Sequence, residues 1–225
     1  MSEWWTYTPS DFLLFSARTY YRLFELYNRD IWPGQLVALA LGVVILACLF
    51  IRAAWRAKLV AAILAAGWLW VAWAFHAERY ATINWAAHYF AIGFAVEALL
   101  LLWAGVVRAE PADMPARSPI TVAGIGLFLF ALIVQPLIGL MLGRPWSQAE
   151  IFGMAPDPTV AATLGILLTT GRRPRWLLMI IPIVWCLISG ATLWTMGSQD
   201  AWVMPVIALL SVLLAVREAL SARPQ

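Results

Sequence analysis

Residues 85–107 read WAAHYFAIGFAVEALLLLWAGVV, and Glu97 is the one acidic or basic side chain among them apart from His88. As a helix, a run of this length covers the ~30 Å of hydrocarbon in a bilayer, which takes roughly 17–25 apolar residues. It is apolar on every side, the pattern of a helix surrounded by protein or lipid and not by water. Six further apolar runs flank it, at 33–51, 59–75, 120–142, 159–170, 176–194 and 202–216. The reading is an all-α polytopic membrane helix bundle with seven transmembrane helices.

Composition supports this reading. Of the 225 residues, 63% are hydrophobic and 12% charged, against about 45–50% and about 25% in soluble domains. The mean hydropathy is +0.81. A soluble globule of this size still exposes about 30% of its chain surface and has too little polar surface here to do so. The net charge of +3 is spread over short connections. It forms no basic run of the kind that tracks a phosphate backbone, so nucleic acid is not an expected partner. The lipid bilayer is. Cys48 and Cys186 lie in apolar runs without a CxxC pattern, which reads as two small buried side chains. Residues 1–10 lack lysine and arginine, so no cleaved leader is expected.

Ahead of the first run, residues 11–30 form a two-sided helical wheel. Asp11, Arg18, Arg22, Glu25 and Arg29 share one stripe; Phe12, Tyr20, Leu23, Phe24 and Tyr27 share the other. Ser10 is a fair cap for its start. This is an amphipathic helix, lying in the membrane interface or packed as a lid on the bundle. The chain thus divides into an interfacial segment 1–32, a single transmembrane bundle 33–216 and a cytoplasmic tail 217–225.

Tryptophan marks the predicted ends: Trp32, Trp55, Trp85, Trp146, Trp176, Trp194 and Trp202 form an aromatic belt. Lysine and arginine set the orientation. Arg52, Arg56, Lys58, Arg108, Arg117, Arg172, Arg173, Arg175, Arg217 and Arg223 fall on one side; Arg18, Arg22, Arg29, Arg79 and Arg144 fall on the other. The richer side is cytoplasmic by the positive-inside rule. The N-terminus is then outside and the C-terminus inside. The bias survives only if the short run 159–170 crosses. Small residues suggest contact stripes, Ala62 with Ala66 and Ala87 with Ala91, Ala95 and Ala98, because close backbone approach holds helices together in lipid. Runs one to three and five to seven point the same way, yet no residues match between them.

Three polar features stand where polarity is costly. Glu97 is midway along its run. An ionised group at the bilayer centre costs roughly 2.5–3.5 kcal/mol on insertion scales, so it is protonated, paired or turned to water. It is either a relay group or a neutral acid bonded to a neighbouring helix. The second feature is the turn after run two, with His76, Arg79, Asn84 and His88. His76, Trp73 and Tyr80 share a face if the helix runs on regularly; Asn84 and His88 share another. These residues guard an outer mouth or fasten the hairpin with local hydrogen bonds. A metal or haem needs more ligands than two histidines, and no cofactor or metal is expected. Nine residues separate His88 from Glu97, which puts them on opposite sides of one helix. The third feature is Ala155-Pro156-Asp157-Pro158, with Asp157 as a cap and Pro158 in the first turn. It is a broken or re-entrant helix, tolerated at membrane depth only under protein or water, or a plain outer loop. Gln135, ahead of Pro136, offers it a partner.

HExxH, GxSxG, P-loop and dinucleotide glycine patterns are absent, which removes those enzyme classes; an intramembrane enzyme would rest on Glu97, Asp157 and the outer turn alone. Several motifs carry a resemblance: Trp4-Trp5-Thr6-Tyr7, Ser10-Asp11-Phe12-Leu13-Leu14-Phe15-Ser16, Arg18-Thr19-Tyr20-Tyr21, Trp73-Ala74-Phe75-His76, Arg79-Tyr80, Ile83-Asn84-Trp85-Ala86, Pro156-Asp157-Pro158-Thr159 and Thr163-Leu164-Gly165. The chain resembles a family of uncharacterised bacterial multi-pass inner-membrane proteins of about this length, sometimes labelled transporter permeases. The resemblance implies a bacterial inner-membrane location and no particular substrate. The expected function is binding or translocation of a small solute or ion from the extracytoplasmic side, with Glu97, His76, Arg79, Asn84, His88, Gln135 and Asp157 as binding residues. The alternatives are a non-transporting assembly or sensor module and an intramembrane enzyme.

Overall fold

The computed structural model describes residues 15–107, 118–170 and 176–221. Among these the chain is helical, without strands. The motif residues 4–7 and 10–14, with Ser10, Asp11 and Phe12, lie outside the described residues, as do Arg108, Arg117, Arg172, Arg173, Arg175 and Arg223.

Helix α1, Ala17–Asp30, starts at Ser16, whose Oγ accepts from the Thr19 amide at 3.2 Å. It meets α2, Gly34–Cys48, at a bend of 88°. Helix α3, Arg56–Trp70, runs on as a π-helical stretch, Val71–Ala77. Helix α4, Ala87–Leu102, does the same over Trp103–Val107. Helix α5, Pro119–Leu129, passes through a π-helical stretch, Phe130–Val134, into α6, Gln135–Met141. Pro136 explains that widening: it has no N–H, and its ring crowds the carbonyl four residues back. Helices α7, Pro156–Thr169, α8, Trp176–Thr195, and α9, Val203–Ser221, complete the set.

Among the described residues five helical segments are long and apolar enough to cross a membrane: Arg56–Thr82, Ala87–Gly105, Pro119–Met141, Trp176–Thr195 and Val203–Ser221. The bent pair α1 and α2 makes a sixth if taken as one span. Their outward faces are apolar, as at Ile92, Val96 and Leu99 on α4 and Leu209, Leu210 and Leu213 on α9, all exposed. The seven tryptophans at the helix ends are also exposed.

The fourteen residues of α7 are all buried. At 1.5 Å per residue α7 is about 21 Å long. It packs on α3, α5, α8 and α9, most extensively on α5. The α5 contact depends on two glycines: a Cβ on Gly165 would lie 2.7 Å from the Gly124 carbonyl oxygen and 2.8 Å from the Phe128 amide nitrogen. Helices α3 and α4 also meet closely, and a Cβ on Gly105 would lie 2.1 Å from that of Ala61. The expected stripe on α3 is therefore displaced. Ala61 and Ala65 are buried, whereas Ala62 is half-buried and Ala66 exposed. A helix that is apolar all round gives its own sequence no phase, so the choice falls to the neighbouring helix.

Helix α1 caps one end of the bundle. Tyr20, Leu23, Phe24 and Tyr27 are buried, and Phe24 packs against Phe75 with the ring centroids 4.9 Å apart and the planes tilted by 35°. The turns after α3, α6 and α8 gather beneath it. Arg79 pairs with Asp30 at 2.7 Å, Asn28 donates to the Ser147 and Ala149 carbonyls at 2.9 and 2.8 Å, and Tyr21 bonds Ser198 at 2.7 Å.

Candidate functional site

The site is built around the N-terminal end of α7. Residues 151–155 are buried but not helical, so their backbone groups need partners inside the protein. Thr159 supplies two: its Oγ accepts from the Gly153 amide at 2.9 Å and donates to the Ala155 carbonyl at 2.7 Å. Tyr27 of α1 donates to the Met154 carbonyl at 3.0 Å and accepts from Trp70 Nε1 at 2.8 Å. Gly153 has φ +74°, a conformation that glycine adopts without strain. The segment is therefore an enclosed approach to α7 and not a plain outer loop.

Asp157 does not cap α7. The helix begins at Pro156, with Ala155 in the cap position and no capping side chain. Pro156 and Pro158 have no N–H, which leaves a cap less to satisfy. The carboxylate turns to α8 instead, where Oδ1 accepts from Trp185 Nε1 at 2.7 Å and Oδ2 from Ser189 Oγ at 2.6 Å. Asp157 is 4% exposed.

A cavity of about 20 Å³ opens at this point, lined by Gln135, Arg144, Glu150, Asp157, Asp200 and Met204 with apolar neighbours. That is room for about one water molecule. Gln135 is 7% exposed; its Nε2 donates weakly to Met204 Sδ at 3.5 Å. Arg144 follows Gly143, whose φ of +80° turns the chain back into the bundle, and the Arg144 amide donates to the Gly139 carbonyl at 2.8 Å. The guanidinium pairs with Asp200 and lies 4.2 Å from the centre of the Tyr21 ring. Ser198 bonds both Asp200 and Tyr21, closing a loop of four side chains between α1, the α6–α7 turn and the α8–α9 turn. Burial pulls the Arg144 guanidinium down, but Asp200, Tyr21 and Glu150 outweigh it and hold the group charged. Burial pushes the Glu150 carboxyl well above the usual carboxylate range; Asp157 pushes the same way and Arg144 opposes. Gln135 Oε1, Arg144 Nε and Glu150 Oε2 have no hydrogen-bond partner among the described residues.

The structure thus brings Gln135 and Asp157 to one cavity. His76 is close behind: it is 0% exposed, with its ring centroid 4.9 Å from that of Trp185 and 4.5 Å from that of Phe94, and neither ring nitrogen has a partner. Trp73 is exposed while His76 and Tyr80 are buried, so the expected shared face does not form; the π-helical stretch shifts the phase. Glu97 is 0% exposed, with both carboxyl oxygens unpartnered, and does not line the cavity. Asn84 Oδ1 accepts from the Ala86 amide at 3.0 Å and shapes the turn before α4. His88 is exposed and so is not brought together with His76. Arg79 lines a surface groove of about 710 Å³ between α1 and the α3–α4 turn, together with Arg18 and Arg22; Gln148 lines both groove and cavity. Among the described residues no three His, Cys, Asp or Glu side chains are placed to hold a metal ion.

Sequence reading misses Arg144, Glu150, Asp200, Trp185 and Ser189. One signal was available. Trp185 and Ser189 are four apart on an apolar helix, so their donors share a face. The other three sit in short turns, and nothing local pairs them.

These features define a helical bundle with apolar outer faces and one enclosed helix, whose N-terminal end bears a charged cavity. The chain belongs to a family of unknown function (DUF6064), matched over residues 17–225. No curated protein and no solved structure matches it.

Proposed function

We propose that this protein is a seven-span bacterial inner-membrane protein that binds or passes a small solute or ion from the extracytoplasmic side. The spans are α2, α3, α4, α5 with α6, α7, α8 and α9. The α1 end faces out and the C-terminus faces in, because ten lysines and arginines fall on the other side. Helix α1 lies at the outer interface and covers the cavity. A solute reaches the cavity from the groove beside Arg79, past Gln148. Asp157 and Arg144 hold it, and Glu97 serves as the titrating group deeper in the bundle.

The observation that carries this reading is the cavity wall, where Gln135, Arg144 and Glu150 each present a buried polar atom without a partner. Buried polar groups in proteins are paired in the great majority of cases, and an unpaired set around one space marks a place for something else. The test is a solute and ion binding screen on purified protein, repeated with Asp157→Asn and Arg144→Gln. Loss of binding in both supports the reading, and unchanged binding in both overturns it. A C-terminal reporter that is active in the periplasm overturns the orientation.

A second reading, a non-transporting sensor or assembly module, has one observation in its favour. Trp68, His76, Phe94 and Trp185 pack as a ring cluster directly behind Asp157, and passage would require them to move. Binding without uptake into proteoliposomes selects this reading.

A further inference from the structure

We propose that the cavity seats one small monovalent cation between the carboxylates of Glu150 and Asp157 and the amide oxygen of Gln135. The inference rests on the binding reading above and names the occupant.

Among the described residues four ionisable side chains line the cavity: Arg144, Glu150, Asp157 and Asp200. Arg144 and Asp200 neutralise each other as an ion pair. Glu150 and Asp157 are left with no further cation in the wall among the described residues. Two neighbouring carboxylates in a buried space do not both stay ionised without a positive partner.

Gln135 is more than nine-tenths buried, lines the cavity, and has an Oε1 that nothing among the described residues donates to. Its side chain is spent on the weak contact with Met204 sulfur. Glu150 is half-buried, but its Oε2 is enclosed and also lacks a donor. Each Asp157 oxygen takes one bond from a neutral donor, Trp185 or Ser189, and keeps a lone pair free. Arg144 Nε is the one cavity-lining donor without a partner among the described residues, against unpartnered oxygens on Gln135 and Glu150, and that excess of oxygen suits a hard cation.

About 20 Å³ admits one ion or one water-sized cation and no organic solute. A divalent ion of the calcium type takes six to eight oxygens, several of them carboxylate; Asp200 is taken up by Arg144, and among the described residues no three His, Cys, Asp or Glu side chains are placed to hold a metal ion. Sodium, potassium and ammonium share the charge and the small radius that remain.

The experiment is thermal unfolding of the purified protein with choline chloride as the only salt, then titration with sodium, potassium or ammonium chloride at constant ionic strength. The expected result is a saturable rise in Tm, about 3 °C or more, with at least one of the three small cations and none with choline. The rank of the three identifies the source. Glu150→Gln and Gln135→Leu each weaken the apparent cation affinity about tenfold or more. Neither change adds bulk or charge, so both variants keep the fold. A rise of undiminished affinity in both variants overturns the proposal. So does a Tm that follows pH but ignores all three cations, which makes a proton on Glu150 the occupant. Either result leaves standing the broader reading that this cavity takes a small ion or a water-sized solute, since that is judged by Asp157→Asn and Arg144→Gln in the binding screen.

Discussion

Asp157, at the N-terminal end of α7, and Glu97, midway along α4, are both acidic and both closed off from solvent, at 4% and 0% exposure. The bundle treats them in opposite ways. Asp157 accepts a bond on each oxygen from α8 and borders a polar cavity. Glu97 has no partner on either oxygen. Burial alone therefore says little about what a carboxyl does. The donors around it separate a group that the fold holds in place from one that the fold merely tolerates. In the bundle as described, the first region is organised for charge and the second for apolar packing.

The sharpest way to break this comparison is Asp157→Ala. It leaves the Trp185 N–H and the Ser189 hydroxyl buried without acceptors, and is expected to cost about 3–5 kcal/mol of unfolding free energy, measured by denaturant titration in detergent. A loss under about 1 kcal/mol would mean that the two donors find other partners. Glu97→Leu is expected to act in the other direction and stabilise by about 1–2 kcal/mol, since it removes two unpartnered buried oxygens. Destabilisation in the same assay would show that Glu97 has a partner after all, and the contrast with Asp157 would fall. The next effect is on pH dependence. Because burial raises the Glu150 carboxyl in the folded state, its contribution to stability is complete below the ordinary glutamate value of about 4.5. It is lost as pH rises towards the folded value. With choline as the only salt, Tm of the wild type should therefore fall relative to Glu150→Gln between acid and neutral pH; parallel curves would refute this. The smallest effect belongs to Arg79→Ala. The pair with Asp30 is about two-fifths to one-half exposed and is worth less than ~1 kcal/mol, so the shift in Tm should be near the limit of measurement and should shrink with salt.

Legibility followed the range of the physical signal. Asp157 stands out in one dimension, because two prolines around an aspartate inside an apolar stretch have few explanations. Gln135 was within reach for the same reason: an amide beside a proline in an apolar helix. The turn residues His76, Arg79, Asn84 and His88 look like a cluster, since they lie within thirteen positions of one another. Folding sends them to different places: the aromatic interior, an ion pair with α1, a turn and the surface. The change of phase at Val71–Ala77 is the reason His76 faces inward, and a regular helical wheel does not foresee it. On α1 the aromatic face is plain in the sequence, yet that face suits lipid and protein equally well.

By itself the sequence determined an all-helical chain whose long apolar helices suit a membrane, its tryptophan-marked ends, and the acidic break ahead of α7. These follow from composition and from periods of a few residues, which each segment carries alone. Only the tertiary structure decided that α7 is enclosed on all sides, that α1 closes over its end, and that Arg144, Glu150, Asp157 and Asp200 share one cavity. Those facts depend on which of many equivalent apolar faces meet. Two glycines, one π-helical turn and a few buried hydrogen bonds between distant segments settle that choice, and no local pattern contains it.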